Sequence, residues 1–435
     1  MGETSLLRDP AFWAVVLFVV PLLLKVPIGV SLALSSVIVA WYWDMGVIMT
    51  SYNYFANIAK FPLLAIPFFI LAGNIMDRAS IADKLVNLLR YIFGRMVGGL
   101  AIAAISVACF WGAISGSTAA TVAAIGVVLI PGMVKAGYDK VFATAVICVA
   151  SGLAIIIPPS ITFIMYGVIT GASVGTIFAA GFVPGFFIAL CLMASAYVTC
   201  RRRGWAGESF EKSWGLFFFV LKDAFWALMA PTIILGGIYG GVFTPTEAAA
   251  VSCFYGLFVG VVVYRRIGWR DVYEMLVDTV RGSATIMFIC ASAGLYAWIG
   301  STVGLIEKSS DLLLGISENE YVLLFMIYVI LFFGGMLLDG VSMLYVFMPI
   351  LMPLMERYGW DPVWFGVMVT IMVAVGTITP PVAMNLYVGC RIAGITIEEL
   401  TPPVIPLLLA TLAALVVLTL FPSMTLFMPR MLGLM

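Results

Sequence analysis

Apolar runs recur along the chain near residues 11–24, 27–43, 61–78, 140–170, 175–200, 222–242, 246–264, 283–300, 362–392 and 401–425. A hydrocarbon core about 30 Å thick needs roughly 20 such residues per helix, so the pattern predicts an all-α polytopic membrane protein. Two further stretches, 98–135 and 320–357, are each split into two short limbs by a small or polar tip, "GAISGSTAA" and "GGMLLDGVSM". Each fits either two spans or one re-entrant hairpin. In "SIADKLVNLLRYIFG", Ile81, Leu85, Leu88, Leu89 and Ile92 share one face, with Asp83, Lys84 and Arg90 elsewhere. That spacing predicts an amphipathic interfacial helix.

The pattern is doubled. Setting residue n beside n+222 aligns, without a gap, Phe110-Trp111-Gly112 with Phe332-Phe333-Gly334, Pro131 with Pro353, and Gly137-Tyr138-Asp139 with Gly359-Trp360-Asp361. Pro158-Pro159 falls on Pro380-Pro381 and Pro184 on Pro406 in the same register. This predicts a first copy over 1–200, a linker over 201–221, a second copy over 222–425 and a tail over 426–435. With the split stretches read as re-entrant, each copy crosses five times, and the odd number inverts the second copy. On that arrangement 17 of the 22 Lys and Arg residues, among them Lys25, Arg78, Arg201, Lys212 and Arg391, collect at cytoplasmic ends. Only Arg8, Lys60, Lys308, Arg357 and Arg430 remain outside, which satisfies the positive-inside rule and places both termini outside. A hairpin of two full spans preserves parity, so these charges fix orientation and not re-entrance.

Composition narrows the function. The 435 residues are 63% hydrophobic and 10% charged, with zero net charge and no basic tract, which points away from nucleic acid. The absence of histidine removes HExxH zinc sites, His-based triads and haem ligation by His, and no GxxxxGK[ST] phosphate loop occurs. The seven cysteines show no CxxC spacing and read as small hydrophobes. "MGETSLLRDP" leads into a first transmembrane helix, not a signal peptide.

Inverted repeats with interrupted helices are the physical signature of a secondary transporter, because a break exposes carbonyls and helix ends at the midplane. In "SGLAIIIPPSITF" two prolines remove two donors, and Gly152 adds permissive backbone. In its partner "VAVGTITPPVAMN", Thr377 and Thr379 replace Ile155 and Ile157. The alternative reading is a packing kink. At the first tip, Ser115-Gly116-Ser117-Thr118 is expected to cap the second limb with a hydroxyl and to offer oxygens to a small hard cation. Asp339, the one carboxylate deep in an apolar run, reads as functional or as an N-cap. No Lys or Arg lies mid-span, so an anion would rest on hydroxyls and helix N-termini, aided by Arg391. "TPTEAAA" is a capping box that gives Glu247 a structural role.

At these residues a resemblance emerges. "AGNIMDRASIADKLVNL", "GAISGSTAATVAAIG", "GLAIIIPPSITFIMYG", "GGVFTPTEAAAVSCFYG" and "GTITPPVAMNLYVG" resemble the large membrane subunit of tripartite ATP-independent periplasmic (TRAP) transporters, the DctM-like family, over about residues 15–425. The resemblance implies an elevator-type scaffold (helices about 1–60) and transport domain (elements about 98–170 and about 320–392) in the bacterial inner membrane, with a cytoplasmic linker over 201–221 and a periplasmic tail over 426–435, driven by two or more sodium ions without an organic cofactor. It implies an organic acid substrate (a C4-dicarboxylate, a sialic acid or a related sugar acid), a periplasmic substrate-binding protein and a separate small four-helix membrane subunit. Carried over residue by residue, it implies one sodium site at Ser115, Ser117, Gly152 and Pro158. A second is implied at Gly334, Asp339, Gly376, Thr377 and Thr379, with substrate near Ser117, Thr118, Ser160, Thr162, Asp339 and Asn385. Two competing readings are a stand-alone sodium-coupled carboxylate transporter and an intramembrane aspartyl protease using Tyr138-Asp139 and Asp339-Gly340. The protease needs adjacent carboxylates, whereas Asp139 falls between Lys135 and Lys140 at a predicted cytoplasmic end.

Overall fold

In lipid the backbone must satisfy its own hydrogen bonds, and apolar runs of this length do so as helices. The computed structural model describes residues 8–205, 207, 213–380 and 383–435. Within them the chain forms α1 Pro10–Leu23, α2 Ile28–Tyr42, α3 Val47–Ala56, α4 Ala65–Arg78, α5 Ile81–Phe93, α6 Gly99–Ser115, α7 Thr118–Lys135, α8 Lys140–Ala150, α9 Ile161–Thr170 and α10 Val174–Arg203. It continues with α11 Trp214–Tyr239, α12 Pro245–Phe258, α13 Trp269–Thr302, α14 Leu305–Ile316, α15 Glu320–Gly335, α16 Gly340–Tyr358, α17 Pro362–Thr377, α18 Met384–Ala393, α19 Ile397–Leu420 and α20 Pro422–Met431. Among the described residues, seven helical segments are long and apolar enough to cross a membrane. Pro381 and Lys212 lie outside the described residues.

Helices α6, α8, α9 and α17 are apolar and buried on nearly every side, as expected of central elements. Around them, α12 packs on α4, α13 on α2 and α4, and α1 on α2. These outer helices leave large apolar side chains exposed, Phe12, Val30, Phe254 and Phe288 among them, as lipid-facing surfaces do. The Gly-aromatic-Asp triplets have a shared local role. Asp139 accepts from the Phe142 N–H at 2.9 Å and Asp361 from the Val363 and Trp364 N–H groups at 2.8 and 3.1 Å, each starting an interrupted helix. The Thr244–Glu247 capping box is present.

Several elements differ from the sequence expectation. Helix α5 buries Ile81, Leu85, Leu88 and Leu89 and leaves Ile92 39% exposed, so most of its apolar stripe packs on protein, with α6 and α11 as its main neighbours. The linker is shorter than 201–221, because the Ser213 hydroxyl accepts from the Leu216 N–H and starts α11 at Trp214. The run at 283–300 is the end of a 34-residue helix, α13, about 50 Å long. The expected tail is largely α20, docked on α10 with Thr425, Leu426 and Pro429 buried.

Lys308 Nζ lies 2.6 Å from Asp9 Oδ2 and ties the cap of α1 to α14. The hydrogen bond from Lys308 is the leading cause holding the Asp9 carboxyl below its ordinary range. A depressed carboxyl contributes stability above its unfolded pKa of about 3.9 and loses it as pH falls through the lower folded value. Both side chains are partly exposed, so Lys308→Ala should cost less than about 1 kcal/mol at neutral pH. Melting curves of the two proteins should converge in strongly acidic buffer.

Candidate functional site

Two helix pairs turn inside the chain. The first, α6–α7, reverses through Gly116 in the left-handed region (φ +58), where a Cβ would stand 3.1 Å from the Pro159 carbonyl oxygen. That contact seats the turn against the first helix break, Ile156–Ser160, between the tight turn Ser151–Ile155 and α9. The second pair, α15–α16, reverses at Met336–Asp339, and its wall meets the second interrupted helix at Gly335 and Gly376. A Cβ on Gly340 would stand 3.6 Å from Thr162 Oγ1, so the second tip also adjoins the first break.

Between these parts lies a cavity of about 330 Å³. Ser117 and Thr118 line it from the first tip, Ile161 and Thr162 from α9, Met336–Val341 from the second tip, Thr377 from α17 and Ala383 and Met384 from α18. Facing them is a wall of Thr285, Ile286 and Ile289 on α13. The residues at the starts of α7, α9, α16 and α18 therefore all face one space, and unpaired N–H groups with the positive end of the helix dipole gather at such termini. Ser160 caps α9 through the Phe163 N–H and Asp339 caps α16, while α7 and α18 have no side-chain cap. Among the described residues, no Lys or Arg is in the lining, and Asp339 is its one ionisable group.

Asp339 is fixed in place. Its Oδ1 accepts from the Val341 and Ser342 N–H groups at 3.0 and 3.1 Å, and its Oδ2 accepts from the Ser342 hydroxyl at 2.7 Å. At the first tip the expected hydroxyl cap is absent. Ser117 occupies the cap position without a side-chain bond to α7, because the Ser115 hydroxyl faces the Ser117 N–H at 3.4 Å and Thr121 Oγ1 at 2.9 Å. The Ser117 hydroxyl makes no hydrogen bond to any described residue, which leaves it available to a ligand.

Of the residues singled out in the sequence, Ser117, Thr118, Thr162, Asp339 and Thr377 share the cavity. Ser160 is fully buried as a cap, and Thr379 gives its proton to the Val375 carbonyl at 2.6 Å. Gly334 faces Phe347 within the second pair and is not in the lining, whereas its neighbour Gly335 is. Gly152 packs beside Ala374, and Pro158 is buried outside the lining. Asn385 is fully buried behind the wall, and Arg391 is exposed in the last turn of α18, outside the lining.

A second cavity of about 600 Å³ shares Ser117, Ile161 and Ile286 with the first and extends past Ser115 to Asn74 and Asp77. There Asn74 Nδ2 donates to Thr279 Oγ1 at 3.0 Å, tying α4 to α13. Sequence reading missed Asn74, Thr279 and Thr285. The polar first half of α13 hid its helical continuity, although its apolar positions keep a helical period.

A polytopic helical bundle with two interrupted helices, two turning pairs and a shared, largely apolar cavity carrying a few hydroxyls and one carboxylate defines an integral membrane protein of the transport class. The chain belongs to the family described as the tripartite ATP-independent periplasmic transporter, DctM component, whose pattern matches residues 15–424. It is 35% identical to the C4-dicarboxylate TRAP transporter large permease protein DctM of Rhodobacter capsulatus, over 96% of this chain and 98% of that protein. It is 35% identical to the sialic acid TRAP transporter large permease protein SiaM of Vibrio cholerae, over 93% and 95% of the two chains. The isethionate TRAP transporter permease protein DctMQ of Oleidesulfovibrio alaskensis is 38% identical over 94% of this chain, which spans 65% of that longer relative. Among solved structures, the YdaH transporter of Alcanivorax borkumensis shares the fold, with a TM-score of 0.61 at 15% identity over 95% of this chain and 99% of that one. The relatives are named as transporter permeases, and this chain is not an enzyme. Asp139 caps α8 and Asp339 caps α16.

Proposed function

We propose that the chain is the large permease subunit of a sodium-coupled transporter that carries an organic acid anion across the bacterial inner membrane. A periplasmic binding protein delivers the substrate, and a separate small four-helix membrane subunit completes the assembly. The observation that carries the reading is the gathering of four helix N-termini on one cavity whose lining, among the described residues, lacks Lys and Arg. Such an arrangement suits a carboxylate, which takes N–H and hydroxyl donors without a buried cationic side chain. Sodium is assigned to the two breaks and tips, at Ser115, Ser117, Gly152 and Pro158 and at Gly334, Asp339, Gly376, Thr377 and Thr379, with oxygen ligands from hydroxyls, Asp339 and the backbone.

The two tip-and-break units, as inverted copies, form the moving part, and α1–α4 with α11–α13 form the frame. The cavity lies where these parts meet, with Ile286 and Ile289 of α13 as its outer wall. Both termini are assigned to the periplasm. The second cavity, which ends at Asp77 beside Arg78, is then the route to the cytoplasm.

Uptake by liposomes, with and without the small subunit, the binding protein and sodium, tests the reading. Strict dependence on all three is expected. Transport that needs sodium and neither partner would establish the stand-alone carrier instead, and transport indifferent to sodium would end both readings. Ser117→Ala removes a free hydroxyl from the substrate end of α7. A hydrogen bond to a charged group is worth about 1.5–3 kcal/mol, so the half-saturating substrate concentration should rise roughly 10- to 100-fold.

A further inference from the structure

Asn385, the second residue of α18, is fully buried, and its amide reaches both interrupted helices. Its Nδ2 donates to Ser151 Oγ at 3.2 Å and to Thr377 Oγ1 at 3.3 Å. Chemistry fixes that direction. Each hydroxyl already directs its only proton to a backbone carbonyl, Ser151 to Cys148 at 2.6 Å and Thr377 to Ala374 at 2.8 Å, so the group facing both must be a donor. The amide oxygen is therefore turned away from them, and among the described residues no donor reaches it. Cys148 Sγ donates to the Asn385 main-chain oxygen at 3.3 Å and pins the start of α18 to α8.

The two partners each stand on the approach to a break. Ser151 opens the tight turn that precedes the first break, and Thr377 is the last residue of α17 before the second. We infer that Asn385 is a positioning residue that couples the two breaks, so that cation occupancy of one changes the affinity of the other. The inference rests on the sodium-coupled reading above. A break that rearranges when its cation leaves must move either Ser151 or Thr377, and both hold the same NH2 group. The oxygen, with no donor among the described residues, gives the amide little to keep it in its present setting once one of those bonds is stretched. Coupling of this kind is reciprocal between the two sites. The register partner of Asn385 is Phe163, which has no hydrogen-bonding side chain, so the bridge is built once and not twice.

The test is a sodium titration of the thermal unfolding midpoint of the purified full chain, for the wild type, Ser151→Ala, Asn385→Ala and the double variant. The wild type should respond steeply, with a Hill coefficient above one. Each variant should still be stabilised by sodium with a coefficient falling to about one, and the double variant should match the single ones. A merely structural role would lower every midpoint and leave the steepness unchanged, and that result overturns the inference. A wild type that responds to sodium without cooperativity overturns it too, while leaving the sodium-coupled reading intact. A wild type that ignores sodium removes that reading and the inference with it. Should Asn385→Ala not fold, Ser151→Ala decides by the same criterion.

Discussion

Asp339→Asn is expected to abolish sodium-coupled uptake while leaving the protein folded. The substituted side chain keeps an oxygen in the Oδ1 position, so the Val341 and Ser342 N–H groups stay capped. Its NH2 can donate to the Ser342 hydroxyl, which now donates to Oδ2. The stability change should therefore stay below the roughly 1 kcal/mol that loss of a cap costs. What disappears is the single negative charge among the described residues of the cavity lining. A charged interaction of about 1.5–3 kcal/mol corresponds to a loss of about 10- to 100-fold in sodium affinity, and more in the rate if ion and substrate bind together. Asp339→Ala, which loses cap and charge together, should show the same uptake defect with a lower melting temperature. Uptake by Asp339→Asn that kept its rate and its sodium dependence would reduce Asp339 to a helix cap.

That separation of cap from charge was not available in the sequence, and the reason is physical. Apolar runs and prolines report on the solvent and on the backbone, so the helices, the two turning pairs and the interrupted segments could be read directly. The site could be read only to the nearest turn. Ser117 sits where a hydroxyl cap belongs, yet Ser115 and Thr121 engage each other and the turn instead, an outcome set by side-chain rotamers. Asn385 has the chemistry of a substrate contact, but the way α18 lies on α8 points it at Ser151, 234 residues away. Amphipathic patterns misled in a different way. The apolar stripe of α5 looks the same whether it meets lipid or α6, and the charged first half of α13 looks like a loop until the helix is seen to continue.

Gly376→Ala and Gly152→Ala should part company, although both positions were assigned to sodium through their backbone. A Cβ on Gly376 would fall 2.5 Å from the Cα of Gly335 and 2.8 Å from its carbonyl oxygen. Backbone cannot yield as a side chain can, so α15 and α17 must separate, at a cost of about 1–3 kcal/mol. Because Gly335 and Thr377 both line the cavity, the shift also displaces its wall, and uptake should fall with the melting temperature. A Cβ on Gly152 would meet Ala374 Cβ at 3.6 Å, an ordinary contact. That substitution should change stability by no more than about 0.5 kcal/mol, and the backbone oxygens it leaves in place should keep uptake near the wild-type rate. If Gly152→Ala instead lost sodium-dependent uptake at an unchanged melting temperature, the first break would require a backbone movement that only glycine permits, and ligation there would depend on flexibility as well as on carbonyl position.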